Sequence, residues 1–522
     1  MSPRLRSLVI AFCGAAALAI VGFAWQFLRE PPAHGTSGER SGAAATHTSP
    51  TPEGRELSAR VLAFCGDCHA PPHPESFPRE AWEAEVERGY AFYVDSDRQD
   101  LVMPVKAEVV SYYHALAPER LLLPLPPPDP TSDAPRFSRA AALADVTAPA
   151  VSHLNWSGTD RDLMACDMRS GAVERYRMFQ GQFAADRLAT LRNPAHVARC
   201  DLDGDRRMDL VVADLGSFDV RDHELGRVVW LRSAEDGSIE EQVLLEGVGR
   251  VADVEPLDFD GDGDTDLIVA EFGWIKSGSL HLLENRGAGR GTDRFAKQTL
   301  DRRHGTSHVP IVDLNQDGRP DFVALISQEH EVVEAFLNAG DGTFHRERLY
   351  AARDPAFGSS GLWPVDLDQD GDLDMLLTNG DTFDSFYLKP YQGIRWLENI
   401  GNWQFVEHQL LLMPGVFQSV TGDFDGDGDL DIAAAAFVPQ NLLTNVSDRR
   451  LDSIVWLEQT VPGTFVRHLI EDSFCHHVTL VAGDFDDDGD LDLVTGNFDA
   501  TQKSQMPACT WWRNNSPHSD RE

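Results

Sequence analysis

The sequence predicts a mainly β protein: a seven-bladed β-propeller, preceded by a small all-α domain and an N-terminal transmembrane helix. Three observations carry this reading. An acidic nine-residue loop recurs six times at a nearly fixed interval, each copy runs into apolar strand-like text, and an uncharged apolar run opens the chain.

The first aspartates of the six loops are Asp201, Asp258, Asp313, Asp366, Asp423 and Asp484, separated by 57, 55, 53, 57 and 61 residues. Motif and period recur together, so the chain is an array of similar units. Acidic or amide side chains occupy positions 1, 3, 5 and 9 of each loop. They are Asp201, Asp203, Asp205 and Asp209; Asp258, Asp260, Asp262 and Asp266; Asp313, Asn315, Asp317 and Asp321. The remaining three sets are Asp366, Asp368, Asp370 and Asp374; Asp423, Asp425, Asp427 and Asp431; Asp484, Asp486, Asp488 and Asp492. Hard oxygen donors at alternate positions of a tight turn suit Ca2+, which takes six to eight oxygens, and position 7 can add its backbone carbonyl. Carboxylates packed this closely repel one another without a cation. Solvated acidic turns are the plain alternative, but they rarely keep register six times. The expectation is up to six bound Ca2+ ions.

The loops are not EF-hands, which place a bidentate Glu at position 12 and helices on both sides. Here the ninth-position Asp runs into strand text such as Leu267-Ile-Val-Ala and Ile432-Ala-Ala-Ala. Farther on comes an apolar-aromatic run, a turn and a Phe: Ile394-Arg-Trp396-Leu, then Gln404-Phe405. Each unit reads strand, acidic loop, strand, turn, strand, turn, strand, and four short strands per repeat make a propeller blade. The repeat resembles the FG-GAP/VCBS family of calcium-loop propeller repeats, the type that builds the head of integrin α chains, across residues 136–515. A seventh, degenerate unit at 151–166 keeps the strand text and has lost the acid pattern, so it is expected to bind no metal. The last unit ends at Thr510-Trp511-Trp512 with no Phe strand after it, whereas Arg136-Phe137-Ser-Arg stands alone ahead of the first. That N-terminal segment is expected to supply the outer strand of blade seven and leave no open edge at the junction.

At the start of the chain, Arg4 and Arg6 precede eighteen uncharged residues from Leu8 to Trp25. The run is long enough to cross a bilayer, and the preceding charge favours an N-terminus inside and the rest outside. No Ala-x-Ala-like cleavage site stands out, so residues 1–30 read as a retained anchor in preference to a cleaved signal, and either would put the remaining chain across the membrane. Residues 31–54, rich in Pro, Ser, Thr, Gly and Ala, read as a flexible tether. The location implied is bacterial and membrane-anchored, facing the periplasm or cell exterior.

Within residues 55–120 stands Cys65-Gly-Asp-Cys68-His69. C-x-x-C-H is the haem c attachment pattern: two thiols form thioethers and the histidine becomes the proximal iron ligand. A thioredoxin-like pair would need βαβ surroundings, and zinc a second ligand pair nearby. Met103-Pro104 precedes a helical pattern, and this resembles class I cytochrome c, where a Met-Pro lies before the last helix. The resemblance implies Met103 as the sixth ligand of one covalent haem c, with His73 and His114 as rivals. A helix carrying Trp82, Val86 and Tyr90 is expected between the two signatures. Leu121-Leu-Leu-Pro-Leu-Pro-Pro-Pro-Asp-Pro130 opens a stiff spacer, residues 121–135, and residues 516–522 form a tail.

Net charge is −39, from 84 acids against 45 bases, and the loops hold 28 of those acids. Much of the acidity is therefore expected to be metal site, and nucleic-acid binding is disfavoured because no basic stripe stands out. Cys166, Cys200, Cys475 and Cys509 remain, with their pairing open. Three functions follow as expectations. The first is an anchored electron-transfer protein whose haem exchanges electrons with a redox partner in the cell envelope, its propeller serving recognition. The second is a propeller oxidoreductase that passes substrate electrons to the haem, with His196, His308, Gln418, His477 and Arg250, or Lys389 and Tyr391, as candidate polar residues. The third is calcium-dependent adhesion or protein binding. No catalytic residue is assigned.

Overall fold

The computed structural model describes residues 52–67, 69–96, 98–129, 136–140, 145–179, 182–287, 291–383, 385–443, 450–472 and 474–515. The expected anchor, nearly all of the tether, Cys68 and the C-terminal tail lie outside the described residues. Among the described residues no helix is long and apolar enough to cross a membrane. The chain divides into two compact units between Leu121 and Leu122.

The first unit contains three helices, α1 (Pro52–Cys65), α2 (Trp82–Asp95) and α3 (Lys106–Leu116). The expected middle helix is α2, and its i, i+4 spacing turns Trp82 and Val86 inward. They are buried with Val61 of α1 and with Val109 and Tyr113 of α3. The Trp82 and Tyr113 rings stack with centroids 3.8 Å apart.

The second unit is a seven-bladed propeller. Among the described residues, six four-stranded antiparallel sheets and one whose inner strand is split into Thr306–His308 and Ile311–Val312 follow one another, with a two-stranded ribbon beside them. Blade six shows the pattern: inner strand Val416–Gly422, then Asp431–Ala436, Asp452–Val461 and outer strand Thr464–Asp472. The acidic loop joins the first two strands, and the ninth-position Asp begins the second, as Asp209, Asp266, Asp321, Asp374 and Asp492 do elsewhere. These second strands are buried along their whole length, which explains their near-continuous apolar text: both faces meet a neighbouring blade. The outer strands, such as Phe405–Leu412, alternate in burial because one face meets solvent.

Hydrophobic cores fill the gaps between adjacent blades. Met164, Cys166 and Val173 of blade one pack with Val197 and Leu210 of blade two. Corresponding clusters join every later pair, and the last joins blade seven back to blade one through Val494, Trp511, Leu154 and Leu163. The described cysteines Cys65, Cys166, Cys200, Cys475 and Cys509 are free thiols, and the last four are buried.

Closure follows the expectation. Phe137–Arg139 pairs antiparallel with Cys509–Asn514, setting Phe137 opposite Asn514 and Arg139 opposite Trp512. Phe137 is buried, with Phe424 and Trp456 at centroid distances of 5.8 and 6.3 Å. The ribbon of Asp145–Thr147 with Gln505–Pro507 crosses the junction a second time. The proline-rich spacer is seated on blade six: Arg467 donates to Asp129 Oδ1 at 2.6 Å, and the Leu469 amide donates to the same oxygen at 2.9 Å.

Phe137→Ala is expected to cost about 3–5 kcal/mol, the range for emptying a buried aromatic site. Deleting residues 133–145 should lower the melting temperature of the whole ring in one cooperative transition. A truncated protein that melts like the full chain would show that this strand does not close it.

Candidate functional site

Three places hold chemistry: the loops, the central channel and the C-x-x-C-H region. All six loops share one backbone path, with positions 4 and 6 at positive φ. Glycine fills most of these, and Arg206, Gln316, Gln369 and Asp487 take the same conformation with φ between 57° and 67°. The position-1 carboxylate accepts the position-6 amide in every copy, for example Gly318 N to Asp313 Oδ2 at 2.9 Å and Gly428 N to Asp423 Oδ2 at 3.2 Å.

The ninth-position carboxylate joins strands. Its Oδ1 accepts an amide from the end of the third strand in all six blades: Ser233, Asn285, Asn338, Asn399, Gln459 and Asn514, at 2.7–2.8 Å. In five blades its Oδ2 accepts the position-2 amide, as Phe424 does to Asp431 at 3.1 Å. In blade seven, Trp511 Nε1 donates to Asp492 Oδ2 at 3.0 Å. The amide that follows the third strand also reaches the preceding blade: Asn338 Nδ2 donates to the Phe259 carbonyl at 2.7 Å and Asn514 Nδ2 to that of Phe424 at 2.8 Å.

Donor oxygens converge to within 4.8 Å in the sets Asp201/Asp203/Asp209, Asp258/Asp260/Asp262 and Asp366/Asp368/Asp370. The Oδ1 atoms of Asp366, Asp368, Asp484 and Asp486 are buried with no hydrogen-bond donor. Buried carboxylate oxygens without partners are costly unless a cation reaches them, so these residues fit a hard divalent ion. Guanidinium groups supply part of that charge in four loops, with Arg207 at Asp205, Arg319 at Asp317 and Arg136 at Asp425 beside the two pairs that follow. Arg232 contacts Asp203 at 2.6 Å and Asp205 at 3.1 Å, and Arg513 contacts Asp486 and Asp488 at 2.9 Å each. Burial, aided by neighbouring aspartates, pushes Asp425 up to about 6 and both Asp431 and Asp492 up to about 7.

The inner strands of all seven blades line a central cavity of about 410 Å³. His196, His308 and Gln418 face it, while His477 and Arg250 are absent from its lining. His477 Nε2 instead meets Glu471 Oε2 at 2.8 Å, and Arg250 Nε donates to the Gly273 carbonyl at 2.9 Å. Lys389 and Tyr391 fasten the blade-five insert: Lys389 Nζ donates to the Ala356 carbonyl and Tyr391 Oη to Asp354 Oδ2 at 3.1 Å.

Several channel side chains bridge inner strands. His153 Nδ1 accepts the Val197 amide at 3.0 Å, Asp253 Oδ2 that of Val309 at 2.9 Å, and Gln418 Oε1 that of Leu480 at 3.0 Å. His196 departs from this pattern. Its Nδ1 lies 3.1 Å from Asp253 Oδ1, its Nε2 lies 3.5 Å from Glu255 Oε1, and its ring stacks on His153 at 3.8 Å. Burial holds His196 down to about 3 and His153 well below the ordinary imidazole value, and nearby imidazoles add to both shifts. Burial raises both Asp253 and Glu255, the latter further through the charge of Asp253. His153, Asp253 and Glu255 were not singled out from the sequence. The signal was the alternation in Val251-Ala-Asp253-Val-Glu255, which puts both acids on one face of an inner strand.

In the helical unit, Cys65 ends α1, and burial raises its thiol against an opposing hydrogen bond of Tyr113. The Nδ1–H of His69 donates to the Ala70 carbonyl at 2.7 Å, which leaves Nε2 as the lone-pair nitrogen. Met103 precedes α3 and is 45% exposed, and His114 Nε2 is buried with no hydrogen-bond partner. Leu62, Phe92, Val94, Val102, Met103 and Val105 all present apolar surface to solvent.

Comparison with known proteins places FG-GAP-like repeats at residues 201–269, 258–324 and 313–377. No curated protein matches the chain. Among solved structures, Saccharomyces cerevisiae Sqt1 is similar at 12% identity and a TM-score of 0.40, covering 70% of this chain and 84% of that one. The Pseudomonas aeruginosa periplasmic gluconolactonase PpgL is similar at 15% identity and 0.40, covering 62% and 84%. Streptogramin B lyase is similar at 10% and 0.45, covering 73% and 98%. The fold assignment rests on the strand pairing described above.

The two aspartate roles separate experimentally. Asp431→Ala strands two buried amides and should cost about 2–5 kcal/mol in urea melts whether calcium or chelator is present. Asp425→Ala should lower stability chiefly when calcium is present. In chelator, Asp431 and Asp492 hold protons in the folded state that the unfolded chain releases. The stability these two carboxyls contribute should therefore be lost as pH rises through about 7, a loss that Asp431→Asn should reduce and added calcium should offset, while buried His196 and His153 oppose it by costing stability in acid.

Proposed function

We propose that this chain is an extracytoplasmic electron-transfer protein, anchored by its N-terminal segment, in which one covalent haem c is carried ahead of a calcium-stabilised propeller that recognises a redox partner. The observation that carries the reading is the C-x-x-C-H motif at the end of α1, with Met103-Pro104 just before α3. The thiols of Cys65 and Cys68 would form the thioethers, Nε2 of His69 would take the proximal position and Met103 the distal one. Bound haem would supply one-electron chemistry between Fe(III) and Fe(II).

The chain's residues support that group in two ways. The carbonyl of Ala70 fixes the tautomer and orientation of His69, as outer partners of metal-bound imidazoles do. The exposed Leu62, Phe92, Val94, Val102 and Val105 offer the apolar surface that a porphyrin face would cover, excluding water from the iron. A unit this small has little core of its own, so a covalent prosthetic group would supply much of it.

The propeller, with its FG-GAP-like repeats, suits a protein-binding role, and its loops would hold Ca2+ as structural ions linking strands around the ring. Nucleic acid is an unsuitable partner for a chain of net charge −39.

Reduced protein matured in a haem-attaching host should show a haem c absorption band, and Cys65→Ala should abolish it. Met103→Ala should lower the reduction potential, since a thioether ligand raises it, whereas His114→Ala should leave it in place. Chelation should lower the melting temperature of the propeller. A matured protein without iron would overturn the haem reading, and a melting curve indifferent to chelation would overturn the calcium reading.

A further inference from the structure

His196 departs from the strand-bridging pattern of His153 and Gln418, and its geometry does not depend on the haem reading. A neutral imidazole carries one N–H and one lone pair. His196 presents one ring nitrogen to each of two carboxylates, Asp253 at 3.1 Å and Glu255 at 3.5 Å. A neutral ring has one N–H, so at most one of these two contacts can be an N–H···O hydrogen bond. Charging the ring would relieve this in water, but the His196 and Asp253 side chains are only 14% and 5% exposed, and burial disfavours the imidazolium. The contact with Asp253 makes no hydrogen bond either: His196 Nδ1 and Asp253 Oδ1 are both buried polar atoms without a partner. The other oxygen of Asp253 is held by the Val309 amide at 2.9 Å, which keeps the orphan oxygen in place.

We infer that His196, Asp253 and Glu255 bind a divalent first-row transition-metal ion inside the propeller channel. One donor atom from each of the three residues lies within 4.8 Å of the others. The 3.1 Å between Nδ1 and Oδ1 matches two ligands sharing one ion, because donors about 2.0–2.2 Å from a metal stand about 3.0–3.5 Å apart. The mixed imidazole and carboxylate set favours zinc, iron, manganese or their neighbours over the calcium expected in the loops. His308 is a candidate fourth ligand. Its Nε2–H donates to the Ser360 carbonyl at 3.1 Å, which leaves Nδ1 as the free lone pair. His153 is a stacking neighbour and not a ligand, because its Nδ1 is already occupied by the Val197 amide. All four residues line the cavity, so a coordination position they do not fill is accessible to water or a small ligand.

The test is zinc binding by the full-length protein in buffer with millimolar calcium, so that the acidic loops are occupied. Calorimetric titration with Zn2+, followed by desalting and elemental analysis, should find one tightly held zinc per chain. X-ray absorption at the zinc edge should show nitrogen and oxygen donors. His196→Ala and the nearly isosteric Asp253→Asn should each weaken binding by about 10–100-fold or more. Glu255→Gln should also weaken it, and His345→Ala, an exposed imidazole beside Glu347, should not. Melting curves in calcium identify the variants that remain folded, and Asp253→Asn or Glu255→Gln keeps the test valid should His196→Ala unfold. Wild-type protein that retains no zinc would overturn the inference. So would zinc retained undiminished by the folded channel variants, and a proton shared within the cluster would then account for its geometry.

Discussion

The ring depends on one repeated interaction: a buried carboxylate at the ninth loop position that accepts a backbone amide from the third strand of its own blade. In five of six blades its second oxygen accepts an amide inside the loop. Burying an anion is costly unless its lone pairs are filled, and here the backbone fills them. The carboxylate fixes where the second strand begins, and strand register sets which side chains enter the gaps between blades. The side-chain amide at the end of the third strand reaches back to the preceding loop in blades four and seven, so the geometry of these blades constrains the ones before them.

The loops serve two purposes at separate positions. Position 9 accepts hydrogen bonds from the chain itself, with Asp209 also converging on Asp201 and Asp203, whereas positions 1 and 3 hold buried oxygens that lack donors in blades five and seven. Arginines 232, 319, 136 and 513 neutralise some of this charge in blades two, four, six and seven, so the six loops are not electrostatically equal. At the other scale, the ring gathers the inner strands of all seven blades around one cavity. Residues from distant parts of the sequence thus meet there without any local motif to announce them.

That contrast explains what the sequence disclosed. The blades were legible because the loop motif and the fully buried second strand recur in register. The closing strand was legible because the last unit lacked a Phe segment that stood unused at residue 137. The helix at 82–95 was legible from the spacing of Trp82, Val86 and Tyr90. The channel was legible only in part. His196 and His308 could be placed on inner strands, but the approach of His196 to Asp253 and Glu255 arises between two blades. His477, on an equivalent strand, turns to Glu471 instead, a choice set by packing that no local pattern records. The spacer could be read as stiff from its prolines, yet its attachment through Asp129 to Arg467 is a tertiary contact.

The pairing of Phe137 with Asn514 bears on how such a chain reaches its mature form. Ser138 and Asn515, 377 residues apart, are hydrogen-bond partners, so the final blade is incomplete until residue 515 has been synthesised. Contacts of such sequence separation form late and slowly. Until the trailing strand arrives, the leading segment keeps an unsatisfied pairing edge, and in that interval the chain is open to chaperones and proteases.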